Sequence, residues 1–148
     1  FGNDFGSQRD LLISPECFDR FVMPTFIKFT QLAHRYGMKV LLPSCGSIDR
    51  VIPRLIDAGV EALHPIQAKA ANMDAVSLSR KYGDRLVFVG GVDTQELLPF
   101  GTPKQVRDEV RRLRDLFGPN FVVSPSHESI MPGVTCENIL AMAEAAAE

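Results

Sequence analysis

Cysteine is scarce: the 148 residues hold three, at positions 17, 45 and 136. An odd and scattered set builds no disulfide framework, which points to a reducing, cytoplasmic setting. Long apolar runs are also missing, and the longest fall far short of a bilayer span. Net charge is small. Sixteen Lys and Arg stand against 18 Asp and Glu, a balance of −2, so nothing electrostatic favours nucleic acid or an anionic membrane as partner. No phosphate loop occurs, Gly2 and Gly6 make no dinucleotide fingerprint, and there is no His-Glu-x-x-His zinc helix. The first ten residues read as a polar loop and not as a signal peptide.

The bulk composition is that of a globular domain with a real core, 45% hydrophobic and 23% charged. Its informative feature is punctuation. Helical stretches stop at Gly37, Gly59, Gly83 and Gly118, and a short apolar run follows each. Glycine ends helices because it enters the left-handed region without a Cβ clash. The repeated order of helix, glycine, strand and loop predicts an α/β fold of parallel βα units. Strands are expected near 38–42, 60–63, 86–89 and 121–123, in that spatial order. Ser14-Pro15 starts a first helix running to about Tyr36, with a kink or break at Pro24. Further helices are expected near 48–58, 72–82, 103–117 and from Thr135 onward; Thr102, Pro103 and Gln105 form a capping-box start. A closed (β/α)8 barrel takes about 250 residues. Four units are therefore about half a barrel, and residues 1–148 are expected to be the C-terminal portion of one barrel domain in a longer polypeptide.

Ligands bind at the carboxyl ends of strands in such folds. There this chain carries Pro43-Ser44-Cys45-Gly46, His64-Pro65-Ile66-Gln67, Gly90-Gly91-Val92-Asp93 and Ser124-Pro125-Ser126-His127. Cys45 reads as a metal ligand, a nucleophile or a buried packer. His127 reads as a metal ligand, an anion contact or a proton carrier, or as a surface loop residue. His64 is similar, though Pro65 ties it to the turn. Asp93 follows two glycines that would let backbone approach a ligand; it equally suits a cap of the next helix. Asp4, Gln8 and Arg9 lie in the opening loop, expected to hang over the same face, and Arg9 suits a substrate carboxylate or phosphate. Cys17 and Cys136 are expected to pack inside helices, and His34 to be solvated.

Several segments resemble the uroporphyrinogen decarboxylase superfamily. Asn3-Asp4-Phe5-Gly6-Ser7-Gln8-Arg9 leading to Ser14-Pro15 is similar to its opening Asp-Asp-x-Gly-x-Gln segment. Ser44-Cys45-Gly46-Ser47-Ile48 is similar to its His-Ser-Cys-Gly-Ser-Ile strand end. Gly90 to Gln95 with Leu98-Pro99 and Gly101-Thr102-Pro103, then Ser124 to His127 with Pro132 and Glu137-Asn138-Ile139, match its later segments. The resemblance covers essentially the whole chain. It implies a (β/α)8 barrel and two chemistries, cofactor-free decarboxylation of a tetrapyrrole and methyl transfer between a corrinoid and a small acceptor at a zinc-bound thiolate. The Ser-Cys-Gly strand end resembles the methyltransferase-like branch. Implied site residues are His127, Asp93 and Asp4 for catalysis, Arg9, Gln8 and His64 for substrate, and zinc on Cys45 with His127. The branch's histidine two residues before the cysteine is Pro43 here, which breaks the ligand pair. A non-catalytic corrinoid or porphyrin binder is therefore a third expectation. Implied partners are a small-molecule substrate, a corrinoid protein and either a second copy or the rest of the barrel.

Overall fold

The computed structural model describes residues 4–148; the expectations that fall on Phe1, Gly2 and Asn3 lie outside the described residues. Four strands form one parallel sheet: β1 (Leu41–Pro43), β2 (Ala62–Ile66), β3 (Val87–Val92) and β4 (Phe121–Pro125), in the order β1-β2-β3-β4. That is the order expected of right-handed sequential crossovers. β4 starts at Phe121 as its apolar run suggests, β1, β2 and β3 start one to three residues later than theirs, and all four end one to three residues later. The lead-in is diverted: Met38 N–H closes the preceding helix on Ala33 O, and Val40 N–H donates to the Glu61 carboxylate at 2.7 Å. The far ends continue into the polar turns, so β2 takes in His64 and β4 takes in Ser124.

Helix α1 is assembled from Pro15–Cys17, a π-helical stretch Phe18–Val22 and Met23–Arg35. Pro24 does not break it. A proline N cannot donate to the carbonyl four residues back. The chain absorbs the loss as a wide turn in which Met23 N–H reaches Phe18 O, five residues back. The other helices are α2 (Ile52–Asp57, entered by a 3-10 turn), α3 (Ala75–Tyr82, capped by Asp74), α4 (Leu97–Phe100), α5 (Pro103–Phe117) and α6 (Cys136–Ala147). The capping box on α5 forms as read from Thr102 and Gln105.

Between sheet and helices lies one core. Leu42, Leu63, Ile66 and Phe88 from the strands meet Ile52, Leu55, Leu78, Val110 and Leu113 from the helices. Spacing of four, three and four puts Val106, Val110, Leu113 and Phe117 on one face of α5. Phe117 lies 5.0 Å from Phe88 and 5.2 Å from Phe121, centroid to centroid. Each such side chain, once buried, contributes about 1.5–3 kcal/mol. Both edges of the sheet stay open among the described residues, with apolar Leu41 and Val122 exposed. Cys17 and Cys136 are exposed rather than packed. Both sit in the first turn of their helices, on the face turned from the core, which periodicity alone does not distinguish. No helix among the described residues is long and apolar enough to cross a membrane.

Two features tie the ends of the strands. At the start of the sheet, the Glu61 carboxylate accepts from Lys39 Nζ (2.8 Å), Val40 N and His34 Nε2 (3.2 Å). His34 is thus engaged, not merely solvated. Burial pushes the Glu61 pKa up, but hydrogen bonds from Lys39, Val40 and His34 outweigh it and hold it down at about 2 against an ordinary 4.5. A depressed carboxyl stabilises the fold above its unfolded pKa, and the contribution disappears as pH falls through the folded value. Between pH 4.5 and 2 the native protein should therefore lose stability that Glu61→Gln does not have to lose. Urea midpoints at pH 7 and pH 3 should differ less in that variant than in the wild type; equal differences would remove Glu61 from the acid limb.

At the other end, the opening loop rests on the turn after β1. A Cβ on Gly46 (φ +84°) would collide with the Gly6 carbonyl, and one on Gly6 would stand 2.6 Å from Ser47 N and O. Either glycine replaced by alanine should destabilise the protein by about 2–4 kcal/mol, and Gly46→Ala should open residues 4–13 to proteolysis first. A variant cut no faster there would show that the contact is slack.

Candidate active site

A cavity of about 440 Å³ opens where the strands end. The opening loop gives it Asp4, Gly6, Ser7 and Gln8; the turn after β1 gives Cys45 and Gly46; the turns after β2, β3 and β4 give Gln67 and Lys69, Thr94 and Gln95, and Ser126 and His127. Five consecutive segments converge on one space, as parallel βα units require.

Backbone hydrogen bonds build the convergence. Ser47 N–H donates to Ser7 O (2.7 Å) and Ala71 N–H to Gln8 O (3.0 Å). Phe5 N–H donates to Ser44 Oγ, and Cys45 N–H to Asp4 Oδ1 at 2.9 Å. Gln67 Oε1 accepts from Gly46 N–H (3.0 Å) and from Gln8 Nε2 (2.9 Å). Asp4 is thereby pinned beside Cys45, though 41 positions separate them in sequence.

The Cys45 thiol is held protonated. Burial, then the charge of Asp4, its hydrogen bond and the charge of Glu128, push the thiol up to about 11 from 9.0. It is not poised as a thiolate nucleophile. His127 is exposed, and its Nδ1 accepts from Ser129 N–H at 3.0 Å. A neutral ring whose Nδ1 accepts carries its proton on Nε2. His127 therefore offers an Nε2–H donor and not a metal-binding lone pair. Pro43 has no side-chain ligand, and among the described residues no three His, Cys, Asp or Glu groups gather to hold a metal ion. A zinc site takes three or four protein ligands. The zinc implied by the resemblance does not fit the described residues of this chain.

Three expected site residues fall elsewhere. Asp93 is outside the cavity lining: its carboxylate accepts from the backbone N–H groups of Gln95, Glu96 and Leu97, as a helix cap does. At Gly90 it is the neighbouring strand that forbids a side chain, since a Cβ there would lie 2.6 Å from Ile66 N. His64 sits within β2, where its carbonyl accepts from Ser44 N–H and its side chain does not line the cavity. Arg9 is exposed, with its backbone N–H on Ser7 Oγ, and is also outside the lining. Asp4, Gln8, Cys45 and His127 do share the cavity. Sequence reading missed Gln67, Lys69, Thr94 and Ser126 as lining residues; their one available signal was position after a strand.

A family model described as uroporphyrinogen decarboxylase (URO-D) matches residues 5–148. The chain belongs to the uroporphyrinogen decarboxylase family. Among solved structures it is similar to a methyltransferase from Methanosarcina mazei, with a TM-score of 0.66 and 23% identity over 92% of this chain and 38% of that one. At that identity the likeness speaks for the fold: four parallel βα units of a (β/α)8 barrel. The chain spans 38% of the length of that methyltransferase. No curated protein matches.

Removing the Asp4 charge should free the thiol. In a background lacking the exposed Cys17 and Cys136, Asp4→Asn should speed iodoacetamide alkylation of Cys45 at pH 8 by about threefold to tenfold, since each pKa unit lost is tenfold in thiolate. An unchanged rate would mean that burial alone holds the proton.

Proposed function

We propose that this chain is the C-terminal portion of a barrel enzyme of the methyltransferase-like branch of the superfamily, moving a methyl group between a corrinoid and a small acceptor in the cytoplasm. The observation that carries this reading is the placement of Cys45 on the cavity by the Ser44-Cys45-Gly46 strand end. A methylated corrinoid, delivered by a corrinoid protein, supplies the methyl group. The residues of this chain bind and orient the acceptor. Burial, reinforced by the Asp4 carboxylate, keeps the Cys45 thiol protonated, His127 presents an Nε2–H to an oxygen or a leaving group, and Lys69, paired with Glu96, lines the cavity. Remaining barrel strands, from a longer chain or a second copy, would cover Leu41 and Val122 at the open edges.

A second reading, cofactor-free decarboxylation of a tetrapyrrole, is favoured by one specific observation: His127 and Cys45 both present protons rather than lone pairs. Such a site suits proton delivery and carboxylate binding better than metal ligation.

The full-length protein separates the two. Under the first reading, methylcobalamin should lose its methyl group to an added acceptor, followed by absorbance. His127→Ala should lower kcat about 100-fold with Tm held within about 2 °C, because the one hydrogen bond its side chain makes among the described residues is from a neighbouring turn N–H. Release of CO2 from uroporphyrinogen without demethylation would move the protein to the decarboxylases. Tight cobalamin or porphyrin binding with neither reaction would make it a binding protein.

A further inference from the structure

Asn138, at the start of α6, is 1% exposed and lies outside the cavity lining. Its Nδ2 donates to Leu98 O at 2.9 Å and to Gly101 O at 2.8 Å. Two carbonyls need a group with two N–H donors, which settles which end of the carboxamide is nitrogen. Its Oδ1 is buried and meets no donor among the described residues. A buried acceptor left unmet costs stability, so the donor pair, not the oxygen, accounts for an asparagine at this position.

The two bonds are not what seats α6. That helix packs on α5 through buried Ala141 and Ala145, Arg107 pairs with Glu144, and Arg114 donates to Ala145 O. What the two bonds hold is α4. Four residues make too short a helix to stand by itself, and its last carbonyls have no partner within it. At its other end the Asp93 carboxylate meets the first N–H groups. Residues 93–101 are thus clamped by Asp93 on one side and by Asn138 on the other. Between the clamps lie Thr94 and Gln95, both on the cavity. Glu96 follows, and its carboxylate holds the cavity residue Lys69 at 2.7 Å.

We infer that Asn138 is a positioning residue of the cavity: by fixing the end of α4 it holds the wall made by Thr94, Gln95 and the Lys69–Glu96 pair. The inference rests on the reading of this cavity as the substrate site and adds a residue that acts on it without touching it.

The test is amide hydrogen exchange and lysine acetylation of the full-length protein, neither of which needs turnover. Asn138→Leu keeps the volume and removes both donors. Exchange in residues 94–101 should rise about tenfold or more, while peptides of β1 and β2 stay within about twofold of the wild type. Lys69, loosened from Glu96, should react with acetic anhydride about threefold faster relative to Lys104, whose partner Asp108 is on its own helix. Ala141→Gly weakens α6 by helix propensity without touching the two bonds, and should leave both local readouts as in the wild type. Asn138→Asp decides the matter if Asn138→Leu does not fold. A buried carboxylate facing two carbonyl oxygens is disfavoured and takes up a proton, which makes it a donor. Exchange in 94–101, corrected for the intrinsic rate, should then rise about tenfold between pH 5 and pH 8 in that variant and stay level in the wild type. Exchange that rises equally in every peptide, an unchanged Lys69, the same local opening in Ala141→Gly, or a level pH profile in Asn138→Asp overturns the inference. Local opening in a protein that neither demethylates methylcobalamin nor decarboxylates uroporphyrinogen would sink the proposed function and leave the hold of Asn138 on the cavity wall standing.

Discussion

The cavity depends on one contact, the seating of the opening loop on the turn after β1. Gly6 and Gly46 approach so closely that neither tolerates a Cβ. The approach brings Ser47 N–H onto Ser7 O and Cys45 N–H onto Asp4. Phe5 anchors the loop from below by an edge-to-face contact with buried Phe18, 5.0 Å between centroids. Without this seating the cavity would lack Asp4, Ser7 and Gln8, and Cys45 would lose the carboxylate that adds to burial in raising its thiol pKa. A loop without regular secondary structure is thereby as well determined as a strand, because its backbone groups are satisfied by specific partners.

That contact also decides the electrostatics. A cysteine at a strand end reads equally as nucleophile, ligand or packer. What separates the readings is its surroundings, which periodicity does not carry. Asp4 comes from 41 residues upstream and Glu128 from the last turn, and both disfavour a thiolate. Pro43 removes the neighbouring imidazole, while Ser129 takes the Nδ1 lone pair of His127. These three features agree in direction: none of them, among the described residues, prepares Cys45 or His127 as a metal ligand.

The fold was legible because its signals are local. Glycine stops, capping residues and short apolar runs each act within a few residues, and they yielded four strands, their order and the main helices. Boundaries slipped where a distant group took over a backbone donor, as Glu61 does at Val40. At Pro24 the missing N–H predicts a kink or a break, and of the two the helix is not broken: a single wide turn accommodates the proline. Position in the opening loop or after a strand was enough to bring Asp4, Gln8, Cys45 and His127 to the cavity lining. Asp93, Arg9 and His64 were not separable from them by position alone. Their outcome turned on side-chain direction: Asp93 folds back on three N–H groups of its own turn, which a following helix start always makes available. Gln67 went unremarked because its role needs two partners from different units.

The two ends of the sheet have divided tasks, and the division follows from how parallel strands meet their turns. At the amino ends, Glu61 gathers three donors from α1 and the lead-in to β1 into one cluster that ties those segments to the start of β2. At the carboxyl ends, adjacent turns are stitched across units: Ser44 N–H to His64 O, Ser126 N–H to Val92 O, Thr94 N–H to Ser126 Oγ. These bonds consume backbone groups. Each turn is held by the next, and the Gln67 carboxamide is the junction: its oxygen accepts both from Gly46 N–H in the turn after β1 and from Gln8 Nε2 in the seated loop. The order of the opening segment is therefore tied to the turn after β2 as well as to the turn after β1.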